Sequence, residues 1–589
     1  MGSIEQGLDR IERHWRWWLL LFWLVTAAYM IFDRSGQIRA FALGDTDDNM
    51  RMMQVRALLE GQGWYDLQQH RLAGSNIHWS RLVDLPIAAL KLIFTPLVGG
   101  RTAEQIAVAV APLLPMLAAM AAVAVTAHRL IGRLAFLLAM VLLACAGSAK
   151  GMWQPLRIDH HGWQLAFLAW AAAGLVDPKR ARGGVTAGIA TALSLAVGLE
   201  MLLYLAVIGV FVVLFWIRDA GEARRLAAYG AALAGGCALG FLIFTSEANR
   251  FAVCDALSPV WLSAMVAAGA IAVALAWLSP EGVWRRLGVA ALAGAALAIA
   301  FALVWPDCLG RLEQSPPELE TLWLSKVREA MPVWRHGAAT AALILTLPVA
   351  GLIGYGLMLW LSRRDPDRLM RWSALAALAL LSTALLCWQT RAGPAAQLLS
   401  VPGAAALLWT AILAFINIRH LVIRLGLLLA ALLIVIALAS GWAANLLAKP
   451  PAPGRQTVNV ANGRCPTLAA LAPIARQRPG MVLTFVDLGP RLITVTPHDA
   501  VTGPYHRNAQ QIIDVMRAWR GTADNARATA ERYHADYLLI CPNLSESTIY
   551  RSETPQGFYM QLVRHRIPQW LEPVPLPAGS PYRMWRVIR

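Results

Sequence analysis

Residues 287–305 read LGVAALAGAALAIAFALVW, an unbroken apolar stretch without a charged side chain. A segment of about 18 to 20 apolar residues is long enough to cross a bilayer as a helix. Comparable stretches recur along the chain as far as about residue 447. Over its 589 residues the chain is 58% hydrophobic and only 15% charged. This pattern favours a multi-span membrane protein over a soluble one.

The apolar stretches predict about thirteen membrane-spanning helices, at residues 17–32, 104–127, 134–150, 162–177, 184–199, 201–217, 227–245, 258–278, 287–305, 339–362, 372–388, 395–416 and 425–447. Arg10, Arg13 and Arg16 precede the first of them, and every second short loop afterwards is also basic. Because cytoplasmic loops are enriched in Lys and Arg, the N-terminus is expected in the cytoplasm. The same loops account for the net charge of +17, so no nucleic-acid partner is expected.

The opposite face receives the outer loops 33–103, 151–161, 246–257, 306–338 and 389–394, together with the tail. Residues 1–447 are therefore expected to form an all-α transmembrane domain that includes the large loops 33–103 and 306–338. From residue 448 the composition becomes that of a soluble chain. Apolar runs at 482–486 and 537–540 predict buried strands, and 509–520 and 524–533 predict helices. Residues 448–589 are thus expected to form a small α/β domain in the periplasm.

Four of the seven cysteines lie on this outer face. Cys254 and Cys308 occupy adjacent outer loops, and Cys465 and Cys541 lie in the tail. An oxidising compartment favours disulfides between cysteines so placed. Two disulfides are expected, with free thiols as the alternative, and spacing alone does not fix their connectivity.

Two acidic motifs also lie on the outer face, each after an apolar segment: GDTDDN at 44–49 and RIDHH at 157–161. Carboxylates at the end of a membrane bundle are costly unless they serve an ion, a proton or a substrate. A functional site assembled from both motifs is the simplest explanation. Two structural alternatives remain open, because Asp45 is a good helix N-cap and Asp159 could pair with Arg157.

The order of these loops and motifs resembles the catalytic subunit of oligosaccharyltransferases, within the GT-C class of membrane glycosyltransferases. Asp45, Asn49 and Arg51 match the Asp-x-x-x-Asn-x-Arg pattern of the family's first outer loop. Asp48 is the corresponding acid if the acid-x-x-Arg form of other GT-C enzymes is compared. The family's Asp-x-Asp or Asp-x-Glu motif is similar to the stretch at Asp159, where histidine replaces the second acid.

Three further stretches extend the resemblance. SKVREAMP at 325–332 resembles the family's Ser-Val-x-Glu-x-x-Pro motif and puts Glu329 at the acidic position. Arg391 corresponds to an arginine that meets the donor phosphate. A weaker similarity joins the family's Tyr-Pro-x-Gly-Arg stretch to residues 78–81.

The resemblance implies a set of site residues. Catalytic roles fall to Asp45, Asp48 and Glu329; a divalent metal, Mg²⁺ or Mn²⁺, would be held by residues from Asp45, Asp47, Asp159, His160 and His161. Substrate contacts are expected at Arg391, His78 and Arg81. The polar, aromatic segment of the tail adds Tyr505, His506 and Arg507 as residues that could bind sugar or acceptor, with a self-capped turn as the alternative.

The expected activity is that of an integral membrane glycosyltransferase of the bacterial inner membrane. It would transfer a sugar or oligosaccharide from a polyprenyl-phosphate or polyprenyl-diphosphate donor to an envelope acceptor on the periplasmic face. Residues 448–589 lack the Trp-Trp-Asp motif with which the family grips its sequon, so the acceptor stays open between a lipid, a polysaccharide and a protein. The alternatives are a transporter or flippase for lipid-linked saccharides and a non-catalytic assembly subunit.

Overall fold

The computed structural model describes residues 10–132, 134–416, 418–439, 446 and 452–588. The predicted domain boundary at 447 and the last part of the span 425–447 lie outside these residues. Within the described residues, a helix lies at each of the thirteen predicted span positions. The fold is mostly helical, with a small sheet near the C-terminus, as the sequence predicts.

The helices of the membrane domain and its loops are α1 (Trp15–Asp33), α2 (Ser35–Arg39), α3 (Thr46–Leu59), α4 (Asp84–Val98), α5 (Gly100–Val110), α6 (Leu113–Leu130), α7 (Ala135–Cys145), α8 (Gly147–Gly151), α9 (His161–Leu175), α10 (Arg180–Val197), α11 (Leu202–Arg218), α12 (Ala223–Phe244), α13 (Pro259–Leu278), α14 (Val283–Val304), α15 (Pro317–Leu322), α16 (Ala338–Leu361), α17 (Pro366–Leu385), α18 (Gly393–Ile416) and α19 (Leu421–Ala439). Strands β1 (Gln68–Gln69) and β2 (Ser75–Asn76) form a small hairpin in the first outer loop.

Seven helical segments of the described chain are long and apolar enough to cross a membrane by length and composition alone. They are Trp15–Asp33, Gly100–Leu130, Ala220–Phe244, Pro259–Leu278, Val283–Val304, Ala338–Leu361 and Thr390–Ile416. The other predicted spans are also helical but are shorter or more polar. Large apolar side chains such as Leu292, Ile299 and Leu303 are exposed on α14, as expected of a surface that faces lipid.

Two predicted spans are interrupted. The segment 104–127 is divided between α5 and α6 at Ala111 and Pro112, where the proline ring cannot donate a backbone hydrogen bond. Residue Ala146 adopts an extended conformation and separates α7 from α8. Hydropathy does not detect such breaks, because the flanking residues remain apolar.

Glycines allow the closest helix pairs to form. A Cβ atom on Gly354 of α16 would lie 1.9 Å from the carbonyl oxygen of Gly403 on α18, and one on Gly184 of α10 would lie 2.3 Å from that of Arg225 on α12. Backbones this close are typical of membrane helices that pack through small residues. A larger side chain at either glycine would push the two helices apart.

The C-terminal domain is a mixed five-stranded sheet with helices, which confirms the α/β prediction for the tail. Its sheet order is β4-β3-β5-β7-β6, with β3 parallel to β4 and β5 and the other pairs antiparallel. The elements are α20 (Pro453–Arg464), α21 (Leu468–Ala475), β3 (Met481–Leu483), α22 (Gly489–Val495), β4 (Asp499–Ala500), α23 (Ala509–Arg520), α24 (Ala523–Arg532), β5 (Tyr537–Ile540), α25 (Ser547–Glu553), α26 (Phe558–Val563), β6 (Leu571–Val574) and β7 (Arg583–Val587).

The C-terminal domain shares one hydrophobic core with the first outer loop. Met50 and Trp79 of that loop belong to the same buried cluster as the sheet residues of the domain. The buried guanidinium of Arg491 donates to the carbonyl of Phe41 at 2.9 Å and to the side chain of Asn49 at 3.3 Å. These contacts hold the domain over the start of α3, where the first acidic motif lies.

Both expected disulfides are present. Cys254 is bonded to Cys308, which ties the outer loop after α12 to the loop after α14. Cys465 is bonded to Cys541 within the C-terminal domain. The prediction of two disulfides is confirmed, and the structure supplies the connectivity.

Candidate active site between the outer loops and the C-terminal domain

The three aspartates of the first motif occupy the start of α3 and lie in different surroundings. Asp45 is the N-cap, and its carboxylate accepts the backbone N–H of Asp47 at 3.2 Å. Its side chain is 41% exposed, whereas that of Asp48 is only 1% exposed. Successive residues of a helix turn by about 100° around its axis, so the three carboxylates cannot share one direction.

Arg157 joins the two acidic motifs. Its guanidinium pairs with Asp45, lies 2.7 Å from Asp159, and is 3.5 Å from Asp48. Asp48 also accepts the backbone N–H of Asp159 at 3.2 Å. The structural alternatives for Asp45 and Asp159 are therefore real features of the fold, and they place both motifs in one cluster.

Asp47, Asp159 and His161 form a group that could hold a cation, because one ligand atom from each lies within 4.8 Å of the others. The Nδ1 atom of His161 is 3.0 Å from a carboxylate oxygen of Asp159. Two carboxylates and an imidazole are an N/O donor set that suits Zn²⁺, Mn²⁺ or Mg²⁺ to different degrees. The residues present therefore fit a divalent metal, and the histidine makes Mg²⁺ the weaker match.

Another possible metal-binding group also contains His161. His160, His161 and Glu200 bring their ligand atoms within the same 4.8 Å limit, and Nε2 of His160 is 2.9 Å from Glu200. The sequence offered His160 and His161 as equal candidates. The structure separates them, since His161 contacts Asp159 while His160 turns toward Glu200.

The charges of the cluster explain its titration. Burial and the neighbouring carboxylates of Asp45 and Asp159 raise the pKa of Asp47 to about 7. Burial also acts on Asp159, but there the opposing charges of Arg157 and His161 prevail and hold its pKa well below the usual range. The carboxylates of the cluster outnumber its cationic groups, Arg157 and His161, which is a condition that favours an added cation.

Arg391 and Glu329 form an ion pair with each other on the same side of the molecule. The backbone supports the pairing, since Thr390 N–H donates to the carbonyl of Met331 at 2.9 Å. Arg391 also interacts electrostatically with Asp47 and Glu200. The ion pair of Arg391 and Glu329 therefore lies near the acidic cluster.

Asp487 is a site residue that the sequence reasoning did not find. It follows β3, is exposed, and interacts electrostatically with Asp45. Loss of solvation by the surrounding protein, with a smaller effect of Asp45, raises the pKa of Asp487 to about 6. Glu546 accepts the backbone N–H groups of Val486 and Asp487 at 3.1 and 2.8 Å and so fixes this turn. A carboxylate directly after a buried strand was the available signal.

Arg81 and Tyr505, two other expected substrate contacts, bond to groups of the protein itself. Arg81 is fully buried and bonds to the carbonyls of Gln54 and Asp66 and to the Asp84 side chain, which places it in the interior of the first outer loop. The hydroxyl of Tyr505 donates to the carbonyl of Thr46 at 3.0 Å and docks the C-terminal domain.

The remaining three expected substrate residues, His78, His506 and Arg507, gather around Asp255. This second cluster shares no side chain with the acidic one. Sequence reasoning did not select Asp255, which lies beside a disulfide cysteine in a short outer loop.

A small crevice, with room for about one water molecule, opens beside the acidic cluster. Arg157 and Asp159 contribute its polar wall. The rest of the lining is mostly apolar: Val83, Pro86, Ile87, Ala111, Pro112, Pro115, Met152, Ile158, Gly162 and Trp163. Apolar side chains therefore lie next to the carboxylates.

Comparison with known proteins gives matches in structure only. No family model and no curated protein sequence matches the chain. The archaeal oligosaccharyltransferase AglB from Archaeoglobus fulgidus, in complex with an inhibitory peptide and a dolichol-phosphate, superposes with a TM-score of 0.66 at 14% identity, over 89% of this chain and 69% of that one.

Two further structures of the Archaeoglobus fulgidus enzyme agree. One is tethered to an acceptor peptide containing the NVT sequon and gives a TM-score of 0.64 at 15% identity, over 89% of this chain and 69% of that one. The other is a complex with Zn and sulfate and gives 0.58 at 15% identity, over 88% and 67%. At this identity the likeness establishes the fold alone: the chain has the GT-C fold, in the form found in oligosaccharyltransferases.

Proposed function

We propose that this protein is a membrane glycosyltransferase that takes a sugar or oligosaccharide from a polyprenyl-phosphate or polyprenyl-diphosphate donor and transfers it to an envelope acceptor. The observation that carries the proposal is the meeting of Asp47, Asp159 and His161, from two distant outer loops, in one group. A transporter would not require such a group at the end of the bundle.

The donor would occupy the membrane side of the cleft. The prenyl chain would lie against the apolar residues around Trp163, and its phosphate would meet Arg391, whose side chain is 42% exposed. Glu329 forms an ion pair with Arg391 in the structure, and this pair would have to break before a phosphate could bind Arg391. The dolichol-phosphate bound by the archaeal enzyme supports a donor of this class.

Asp47, Asp159 and His161 would hold a divalent metal. Such an ion, when bound, stabilises the negative charge that develops on a departing phosphate. The complex of the archaeal enzyme with Zn and sulfate supports an ion of this kind. Arg157 contributes by neutralising Asp45 and Asp159 and by keeping the two motifs together. Asp48, which is buried and bonds to the backbone of Asp159, would position that residue rather than meet substrate.

The acceptor would enter from the side of the C-terminal domain. During transfer the bond between the sugar C1 and the phosphate oxygen breaks, and the phosphate leaves with the electron pair. A bond forms between C1 and the acceptor atom, whose proton passes to a carboxylate. Asp45 is an accessible carboxylate of the first motif, and the exposed Asp487 interacts with it electrostatically. The two would bracket the acceptor group.

The placement in the cell follows the charge of the loops. The basic loops would face the cytoplasm, and the acidic cluster and the C-terminal domain would face the periplasm of a bacterial inner membrane. The two disulfides on that face support this orientation, since they persist in oxidising compartments.

The test is a transfer assay with the purified full-length protein in detergent. A polyprenyl-phosphate sugar is supplied with a membrane extract as acceptor, and released polyprenyl phosphate is measured. Asp47→Asn and Asp159→Asn should each lower the rate by about 100-fold or more, the range for loss of a group that stabilises transition-state charge.

A matched control is Glu531→Gln, which changes an exposed carboxylate that pairs with Arg527 on the far helix α24. Its rate should equal that of the wild type. Full transfer by both Asn variants would contradict the site. Transport of labelled donor across vesicles without any release of polyprenyl phosphate would contradict the activity itself.

A further inference from the structure

The second cluster joins three segments that are far apart in the chain. His78 lies in the first outer loop, Asp255 in the loop between α12 and α13, and His506 in the C-terminal domain. One ligand atom of each lies within 4.8 Å of the others. Nε2 of His506 is 2.7 Å from Asp255, and the rings of His78 and His506 are 4.7 Å apart between centroids.

Protein contacts among the described residues do not satisfy this cluster. The Nδ1 atom of His78 is buried and has no hydrogen-bond partner there. An imidazole nitrogen withdrawn from water without a partner costs free energy. A ligand that accepts the lone pair of a neutral ring would remove that cost.

Arg507 prepares the carboxylate. It donates two hydrogen bonds to Asp255, at 2.8 and 2.6 Å, and so fixes the orientation of that side chain. A carboxylate has about four lone-pair positions, so one remains after Arg507 and His506 are counted. Outer contacts of this kind commonly orient the residues that bind a metal.

We propose that His78, Asp255 and His506 form a binding site for a zinc-type divalent cation that fastens the C-terminal domain to two outer loops of the membrane domain. Two imidazoles and one carboxylate are a common zinc donor set. The metal would replace the hydrogen bond between His506 and Asp255. This site shares no residue with the acidic cluster and takes no part in the proposed transfer.

Metal content of the full-length protein tests the proposal without any measurement of activity. The protein is purified in detergent, stripped with a chelator and reloaded with Zn²⁺ alone, and bound zinc is counted by mass spectrometry. His506→Gln and Asp255→Asn should each lose about one Zn²⁺ per chain relative to the wild type, because the amide is a poor ligand. Both replacements retain the size of the side chain.

Asp499→Asn is the matched control. Asp499 pairs with Arg71 at 3.0 Å across the same interface but lies outside the cluster, so this variant should keep the zinc. Equal zinc in His506→Gln, Asp255→Asn and the wild type would overturn the proposal, since the cluster would then be only a hydrogen-bonded contact.

A second measurement separates the two clusters and does not depend on the folding of the His506 variant. Asp159→Asn removes a ligand of the acidic cluster and should leave about one Zn²⁺ per chain. X-ray absorption of that zinc should show two imidazole ligands. Absence of zinc from Asp159→Asn, or a spectrum without histidine, would refute the second site; loss of transfer in Asp159→Asn with zinc retained would leave both proposals standing.

Discussion

The pairing of Arg391 with Glu329 leads to an unusual prediction about donor binding. Both side chains are about half exposed, at 42% and 54%, so their ion pair contributes only about 0.2–1 kcal/mol. A phosphate that binds Arg391 must first displace Glu329. A charge-assisted contact between guanidinium and phosphate is worth about 1.5–3 kcal/mol.

These magnitudes set the expected changes in dissociation constant. Arg391→Ala should weaken binding of a polyprenyl phosphate by about 10- to 150-fold. Glu329→Gln removes the competitor and should strengthen binding, by no more than about fivefold. In the double variant the glutamine should have no effect, because Glu329 acts on the phosphate only through Arg391.

Equilibrium binding of a fluorescent polyprenyl phosphate to the detergent-solubilised protein measures all four constants of this cycle. Arg311→Ala and Glu320→Gln, which alter another exposed ion pair of the same loop, serve as controls and should leave binding unchanged. If Glu329→Gln weakened binding equally with and without Arg391, Glu329 would contact the donor directly and the competition would be refuted.

Three further predictions concern the C-terminal domain. Replacing Cys465 and Cys541 by serine opens a loop with a sequence separation of 76 residues and should lower the free energy of unfolding by about 4 kcal/mol; a denaturant titration that matched the wild type would contradict this. Burial and the nearby Asp487 raise the pKa of Glu546 from 4.5 to about 8, so its stabilising contribution is complete below pH 4.5 and is lost as pH rises through about 8. The melting temperature should fall across this range in the wild type and fall less in Glu546→Gln. Tyr505→Phe removes a hydrogen bond between the domains and should cost about 1 kcal/mol of stability, and an unchanged melting temperature would count against that contact.

The membrane part of the fold could be predicted because its signal is local. A helix that crosses a bilayer must satisfy its backbone polar groups internally and expose apolar side chains, so composition over about 20 residues is enough to find it. The helix breaks at Pro112 and Ala146 were not predicted, because each depends on a single residue within an apolar stretch. In the tail, strands β6 and β7 were also not predicted, because charged residues interrupt LEPV and RMWRV and because these strands are stabilised by pairing with strands distant in the sequence.

The sequence alone could not assign the outer-face histidines to separate clusters. The sequence predicts a metal-binding role for His160 and His161 and a substrate-binding role for His78 and His506, but it does not state which outer loops meet. The answer depends on the C-terminal domain, which packs on the first outer loop and carries His506 toward Asp255 rather than toward Asp159. The three candidate metal groups among the described residues are therefore a consequence of tertiary packing.

The first acidic motif makes the same point within a single turn of helix. Motif comparison could not choose between Asp45, Asp47 and Asp48, because three neighbouring acids fit any loose pattern. The helix that starts at Thr46 places the three carboxylates in different surroundings. Asp45 caps the helix and stays accessible, Asp47 joins Asp159 and His161, and Asp48 is buried against the backbone of the second motif. If these roles are as distinct as their surroundings, Asp47→Asn should lower both metal content and turnover. Asp45→Asn should lower turnover while the metal is retained. Asp48→Asn should lower the melting temperature in addition to turnover. If metal content, turnover and melting temperature changed identically in the three variants, the three aspartates would not have the separate roles proposed.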